Sequence, residues 1–542
     1  TTATGSGNGG NGYIKELSRI TENILTYTKN WDEHRFSATG VYSWQDYVYE
    51  NLSISGKGFQ NDETGAWDMG LADRETMSYA SGKYGNTLIS FTGRFTYAYK
   101  DRYLMTATAR YDGSSRFGTN NKWGFFPSVG LGWRISEETF LANNKVITNL
   151  KLRGSYGITG NQEIGNYKSL AQLKSKNYIY NDALMQGFYE TIGNPDLKWE
   201  RTKQFDLGFD LSLWNRIHLN VDYYSRRTSD LLYDVPIPST SGFSTMLSNI
   251  GIVSNKGVEI ALSGRIVETK DFKLDATVNI SKNKNEIKEL YNDVESITVT
   301  SGLGLSKYLK VGESLLSIYG LKSEGIIKTE EQLAAYQKIV PTAQLGDEMY
   351  ADIDDDKAIT AKDQINIGET EPNFFYGVAL NLEYKKFHLD ILGQGAHDFA
   401  AVGASNSDMK IGIHGYGDSF NYLLVGENQT DNRCCLPSKY AYERMWSPSN
   451  PNGTFPRAGA SNLYLSDRSN SGWNYFIIKS IALSYDFGNN PIKGIKGIKG
   501  ISAFVNLQNF ITFANHRGYN PENGDTSNPW IKTITIGVNA KF

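Results

Sequence analysis

Apolar and polar positions alternate along most of this chain. Ile89, Phe91, Gly93, Phe95, Tyr97 and Tyr99 interleave with Ser90, Thr92, Arg94, Thr96, Ala98 and Lys100. Beyond Asp101, Tyr103, Met105, Ala107, Ala109 and Tyr111 interleave with Leu104, Thr106, Thr108, Arg110 and Asp112. Side chains of a strand point alternately to opposite faces. The pattern therefore predicts two strands joined by a very short turn around Asp101. Each has an apolar face ending in tyrosines and a polar face carrying charge. The alternation returns at Phe205 to Leu213, then across a tight turn at Trp214 to Arg216 into Ile217 to Tyr223. It returns again at Val258 to Leu262, Phe272 to Ile280, Tyr376 to Tyr384, Phe387 to Ile391 and Ile534 to Phe542.

Alternation alone fits a soluble sandwich, with polar faces outward and a dry core between sheets. The connections separate the two cases. Turns near Trp31, Asp101, Trp214, Thr269 and Lys385 are short, whereas those near 50–86, 160–198, 286–372 and 399–472 are long. Transmembrane barrels have this asymmetry, with short periplasmic turns and long extracellular loops. Aromatics near strand ends suit the girdle at the membrane–water boundary. The predicted fold is all-β, a transmembrane antiparallel β-barrel.

Composition agrees. The chain has 542 residues, of which 39% are hydrophobic and 13% aromatic, with 34 Tyr and 54 Gly. It holds no apolar run long enough for a membrane-spanning helix. A closed barrel is the other backbone that pairs all its polar groups in lipid. A net charge of −3 gives no electrostatic case for nucleic acid as a partner. Six scattered His offer little for a histidine metal centre or a hydrolytic triad, so no enzyme is expected. Cys434 and Cys435 are adjacent, either an incidental loop pair or an oxidised vicinal pair outside the cytosol.

Counting gives about 15 strands, from one near Glu22–Lys29 to the last ending at Phe542. Residues 1–12 are rich in Thr, Gly, Ser and Asn and read as a flexible extracellular loop tip; residues 13–542 form the barrel part. An odd count puts the first residue on the long-loop side. Single-chain barrels have an even count with both ends in the periplasm, so the expectation is the C-terminal part of a larger barrel.

Several segments resemble the C-terminal barrel half of SusC-like TonB-dependent transporters of Bacteroidetes outer membranes. They are Gly157-Ile-Thr-Gly-Asn-Gln162 with Ile164-Gly-Asn-Tyr167, Asn194-Pro-Asp-Leu-Lys-Trp-Glu200, and Asn249-Ile-Gly251 with Asn255-Lys-Gly-Val-Glu259. Tyr319-Gly320 with Glu324-Gly-Ile326, Gln508-Asn-Phe510 and Gly518-Tyr-Asn-Pro-Glu522 continue the series in order, and the terminal Phe542 looks like the family's assembly signal. The resemblance implies a 22-stranded barrel with an N-terminal plug. It also implies a SusD-like surface lipoprotein partner and TonB acting through the plug. The plug and roughly seven early strands have no counterpart in this chain. The implied function is energised import of an oligomeric nutrient, a glycan or a peptide; a passive porin or surface-binding barrel is the alternative.

One motif carries ligand chemistry. Asp352, Asp354, Asp356 and Asp363 stand at offsets 1, 3, 5 and 12 of a Ca²⁺ loop, with Ala358 at 7 and Thr360 at 9. The resemblance implies a DxNxDG-type loop here, yet Lys357 stands where glycine would supply φ > 0. Candidate substrate contacts are the loop aromatics Trp67, Tyr79, Tyr178, Tyr180, Tyr189, Tyr416, Tyr422, Tyr440 and Trp446, whose rings could cover sugar C–H faces. Gly302-Leu-Gly304 lacks the following GK[ST] of a phosphate loop. The threefold Ile-Lys-Gly repeat at 492–500 reads as a periplasmic turn.

Overall fold

The computed structural model describes residues 7–59, 67–180, 183–241, 243, 245–291, 294–300, 307–399, 443–457, 460, 464–469, 473–489, 499–514, 520, 522 and 530–542. Among these, 15 strands form one antiparallel sheet whose order follows the chain. The first six are β1 (Gly7–Trp31), β2 (His34–Phe59), β3 (Ser78–Tyr99), β4 (Tyr103–Ser114), β5 (Trp123–Arg134) and β6 (Ile147–Asn161). Next come β7 (Glu200–Leu213), β8 (Ile217–Ser229), β9 (Ile252–Glu268), β10 (Phe272–Glu289) and β11 (Phe374–Tyr384). Last are β12 (Phe387–Phe399), β13 (Trp473–Asn489), β14 (Gly500–Ala514) and β15 (Thr533–Lys541). No helix among the described residues is long and apolar enough to cross a membrane.

The tight turns lie where the alternation places them. Lys100 and Asp101 both have positive φ, as do Trp214 and Asn215. Two consecutive left-handed residues are the backbone of a type I′ turn, whose twist matches that of the flanking strands. These turns use residues with side chains where Asn-Gly would be easier. Two boundaries differ from expectation. Gly7–Gly12 are not a loop tip, since they belong to β1 and pair with Ser53–Phe59. The connection near 50–86 is correspondingly shorter, because β2 runs to Phe59 and β3 starts at Ser78. Glycine and serine carry no hydrophobic period, so the pairing had no signature there.

The chain divides into two compact units. The first comprises residues 1–134, 153–205 and 226–252. Registers Phe91↔Tyr111 and Tyr111↔Phe125 put the apolar positions of β3, β4 and β5 on a common face. No described residue covers that face: Phe95 is 53% exposed, Met105 44% and Leu131 60%. An uncovered apolar surface of this extent, continuous over several strands, calls for lipid rather than water. Aromatics bound it. Trp31, Tyr99, Tyr103 and Trp133 lie beside the tight turns, while Tyr42, Phe91, Tyr111 and Trp123 lie eight or more residues further along. Eight residues of strand span roughly 26 Å, about the height of an outer-membrane apolar band. Past Trp44 the same face turns polar, where Asp46 accepts from Arg19 at 2.7 Å and from Thr87 at 3.2 Å.

The opposite face is polar. Ser90 and Asp112 are buried there, and Arg110 Nε donates to Asp112 at 2.7 Å. At the long-loop end, Phe117, Phe126, Ile164, Leu197 and Trp199 form a small core. The Asn194–Glu200 motif fastens the connections. Asn249 Nδ2 donates to the Lys198 carbonyl at 2.7 Å while Lys198 N–H donates to Asn249 Oδ1 at 2.9 Å. Asn194 donates to the Leu247 carbonyl at 2.9 Å. The 160–198 connection also carries a hairpin of Gln172–Tyr180 with Ala183–Thr191.

The second unit comprises residues 135–152, 206–225 and 253–542. Its stretch 307–369, expected as loop, is folded. Ser317–Leu321 pairs with Gln364–Glu369, and Ser323–Ile326 with Glu348–Tyr350. A short helix, α1 (Glu330–Tyr336), starts at a capping box of Thr329 and Gln332. Ile327, Tyr336 and Ala343 form its core. Leu321 N–H donates to the Leu465 carbonyl at 2.7 Å, which attaches the 464–469 segment.

Candidate ligand-binding site

The long-loop end of β2 and β3 carries a cavity that the sequence reading missed. The register Gln45↔Leu88 and Tyr47↔Asn86 sets these residues on the polar face. Asn86 stands five residues beyond Phe91, so it lies roughly 16 Å past the aromatic boundary of the apolar band. Residues following β4 and β6 complete its lining. The cavity holds about 730 Å³ and is lined among others by Tyr47, Asn86, Arg116, Gln162, Asn166 and Tyr167.

Four lining side chains carry a buried polar atom with no hydrogen-bond partner among the described residues: Asn86 Nδ2, Arg116 Nε, Gln162 Oε1 and Asn166 Oδ1. Such an atom costs about 1–3 kcal/mol when left unmatched. Four around one polar cavity make it a candidate place for bound polar groups. Arg116 is held from behind, since Nη1 donates to the Gln162 carbonyl at 3.2 Å. Tyr167 is anchored too; its hydroxyl accepts from Gly85 N–H at 3.0 Å. Gln162, Asn166 and Tyr167 fall in the motifs quoted for the resemblance. Their convergence with Asn86 and Arg116 depends on strand register, which composition does not reveal.

Trp67 is 85% exposed and Tyr79 66%, and Tyr79 donates to Met77 Sδ at 3.5 Å. Tyr178 and Tyr180 lie in one strand of the Gln172–Thr191 hairpin and Tyr189 in the other. Tyr416, Tyr422 and Tyr440 lie outside the described residues, as do Cys434 and Cys435. Trp446 is packed rather than presented. Its ring lies against Gly346, where an added Cβ would come within 2.2 Å of Trp446 Cε3. Gly346 has φ +85°, so a side chain there is disfavoured by the backbone as well.

The acidic loop is partly assembled. Carboxylate oxygens of Asp352, Asp354 and Asp356 lie within 4.8 Å of one another. Asp352 Oδ2 accepts from Lys357 N–H at 2.9 Å, and Asp356 Oδ1 from Ala358 N–H at 3.0 Å. Lys357 adopts φ +64°, the conformation that its offset demands of a glycine. Asp363 is turned to a different task. It is buried, with Oδ1 accepting from Ile353 N–H at 2.7 Å and Oδ2 from Thr360 N–H at 2.7 Å. Its carboxylate caps the turn that Thr360 opens, instead of joining the other three. Thr360 Oγ1 accepts from Lys362 N–H at 3.2 Å. Lys362 Nζ approaches Asp354 at 3.6 Å and Asp356 at 3.9 Å, a cation already beside the cluster. The three convergent carboxylates suit a hard divalent ion.

Comparison with known proteins settles the lineage. Residues 1–308 match the family described as TonB dependent receptor-like, beta-barrel. The chain belongs to that TonB-dependent receptor family. It is 31% identical over 572 residues to TonB-dependent receptor P3 of Formosa agariphila, covering 100% of this chain and 54% of that protein. It is 29% identical over 550 residues to TonB-dependent receptor SusC of Bacteroides thetaiotaomicron, covering 98% of this chain and 49% of that protein. Among solved structures it is similar to the RagAB peptide transporter, with a TM-score of 0.81 and 25% identity, covering 100% of this chain and 57% of that one. The chain thus spans about half the length of the curated relatives it matches. As a SusC-like TonB-dependent receptor barrel it resides in the outer membrane. The apolar face of β3–β5 is its lipid face, and the polar face with the Asn86 cavity is the inner one.

Proposed function

We propose that this receptor chain is the wall of a TonB-energised importer of an oligomeric nutrient, working with a SusD-like surface lipoprotein. The observation that carries the reading is a sheet with an uncovered apolar face that aligns over 98% of its length with SusC. SusC is a TonB-dependent receptor and RagAB a peptide transporter by name. Both are consistent with capture and passage without bond-breaking. Plug, TonB contact and the further barrel strands belong to the remainder of such a transporter. Oligosaccharide and peptide remain the two substrate classes for this reading. Trp67, exposed on the connection between β2 and β3, and Tyr79, exposed at the start of β3, are the described candidate aromatics best placed to meet ligand or lipoprotein.

The acidic loop fits a structural Ca²⁺. Asp352, Asp354 and Asp356 would hold it with the Ala358 carbonyl, and Asp363 would keep the loop in shape. The deciding experiment is uptake of the cognate oligomer by intact cells with and without a proton-motive-force uncoupler. Import requires uptake to collapse when the uncoupler is added and when TonB is deleted. Uptake indifferent to both would favour a passive porin.

A further inference from the structure

Within that importer reading, we propose that the cavity around Asn86 and Arg116 is a subsite for a carboxylate carried by the ligand. Arg116 is a half-buried guanidinium with no carboxylate partner among the described residues. Its Nη1 donates to the Gln162 carbonyl, and its backbone N–H donates to Ser114 Oγ. The nearby Lys83 is different, being paired with Glu50 at 2.6 Å. Nε of Arg116 and Nδ2 of Asn86 are both donors that lack acceptors. A planar guanidinium edge and an amide donor in one cavity lining suit the two oxygens of a carboxylate.

The remaining two unmatched atoms narrow the class. Gln162 Oε1 and Asn166 Oδ1 accept and cannot donate. A carboxylate attached to a unit that also bears N–H or O–H groups satisfies both halves at once. Two ligand sources share that chemistry: the free C-terminus of a short peptide and a uronic acid of an oligosaccharide. Tyr47 and Tyr167 in the same lining give either one apolar surface to lie against.

The test is calorimetry on the full-length protein in detergent, which needs no energy coupling. Its failure would therefore leave the import reading standing, and loss of TonB dependence would leave this binding result standing. The probes are trigalacturonate against maltotriose, and trialanine against trialanine amide. We expect one acidic probe to bind at least about tenfold more tightly than its neutral counterpart. Whichever acidic probe does so identifies the source. Arg116→Gln should weaken it at least about tenfold, and Arg116→Lys by less, because the charge stays while the Nε donor is lost. Asn86→Asp supplies a second variant that leaves the Arg116–Gln162 contact in place; it should repel the acidic probe and spare the neutral one. Equal binding of acidic and neutral probes, no binding of either acid, or an affinity unmoved by both Arg116→Gln and Asn86→Asp would overturn the proposal.

Discussion

Arg457 Nε meets Asp347 Oδ1 at 2.7 Å, and the Asp347 side chain is only 3% exposed. This contact joins segments 110 residues apart and sits beside two backbone bonds, Arg457 N–H to the Gly346 carbonyl and Gly346 N–H to the Ile327 carbonyl. It pins the 443–457 segment onto the small folded region within 307–369. Removing one partner of a buried pair leaves an uncompensated charge, which costs about 3–5 kcal/mol. Arg457→Ala should therefore loosen this region without unfolding the sheet. Hydrogen exchange would show it as faster exchange at the Gly346 and Ile327 amides, with the β10–β11 ladder unchanged.

Glu348 lies next to that pair and makes the same region sensitive to pH. Burial holds its carboxyl above the ordinary value of 4.5, while Ser323, Arg468 and Tyr350 pull the other way. Ser323 Oγ donates to it at 2.5 Å. From about pH 4.5 up to the raised native value, the folded region keeps a proton that the unfolded chain has released. The unfolded state then binds fewer protons, so stability falls as pH rises through this window. Glu348→Gln keeps the shape and removes the titration. Thermal melts of the wild type should show stability declining with pH across that window, and the Gln variant should lack this slope.

Much of the wall was legible because one face is apolar and the other polar. The β3–β4 pair, its turn at Lys100 and Asp101, and the closing Ile534 to Phe542 alternation all lie where period two placed them. The reading failed where side chains carry no period. Gly7–Gly12 pair with Ser53–Phe59 in a stretch of Gly and Asn that shows no alternation. The 307–369 region was hidden by its short strands, whose partners are distant in sequence. The cavity was invisible for the same reason, since Asn86 and Gln162 approach only after registers are set. The acidic spacing was legible, but Asp363 was not. At offset 12 it can reach either an ion or the backbone, and in this fold it takes the backbone.

The acidic loop gives a prediction of its own. Lys357 holds a left-handed conformation that costs a residue with a side chain about 1 kcal/mol or more. Lys357→Gly should raise Ca²⁺ affinity, by relieving that conformation and by removing a cation from the site. Asp352→Ala with Asp354→Ala should abolish binding while the protein remains folded. Terbium luminescence with calcium competition measures both. An unchanged signal in the double variant would discard the assignment.

The lipid-facing assignment sets a steep penalty for charge. Phe95 sits on the uncovered face midway between the aromatic rows. Phe95→Arg should cost about 2–4 kcal/mol at the membrane midplane. Thr96→Arg, one residue along and on the opposite face, should cost far less. Urea titration of refolding into lipid vesicles compares the two.

The central claim is that each strand of the wall meets lipid on one side and water on the other. Single cysteines at Arg94, Phe95, Thr96 and Tyr97, spin-labelled in the membrane-embedded full-length protein, test it directly through collisions with oxygen and with a water-soluble nickel chelate. The account predicts oxygen accessibility at 95 and 97 and chelate accessibility at 94 and 96. Labels at 95 and 97 shielded from both reagents, or an accessibility without period two, would contradict it.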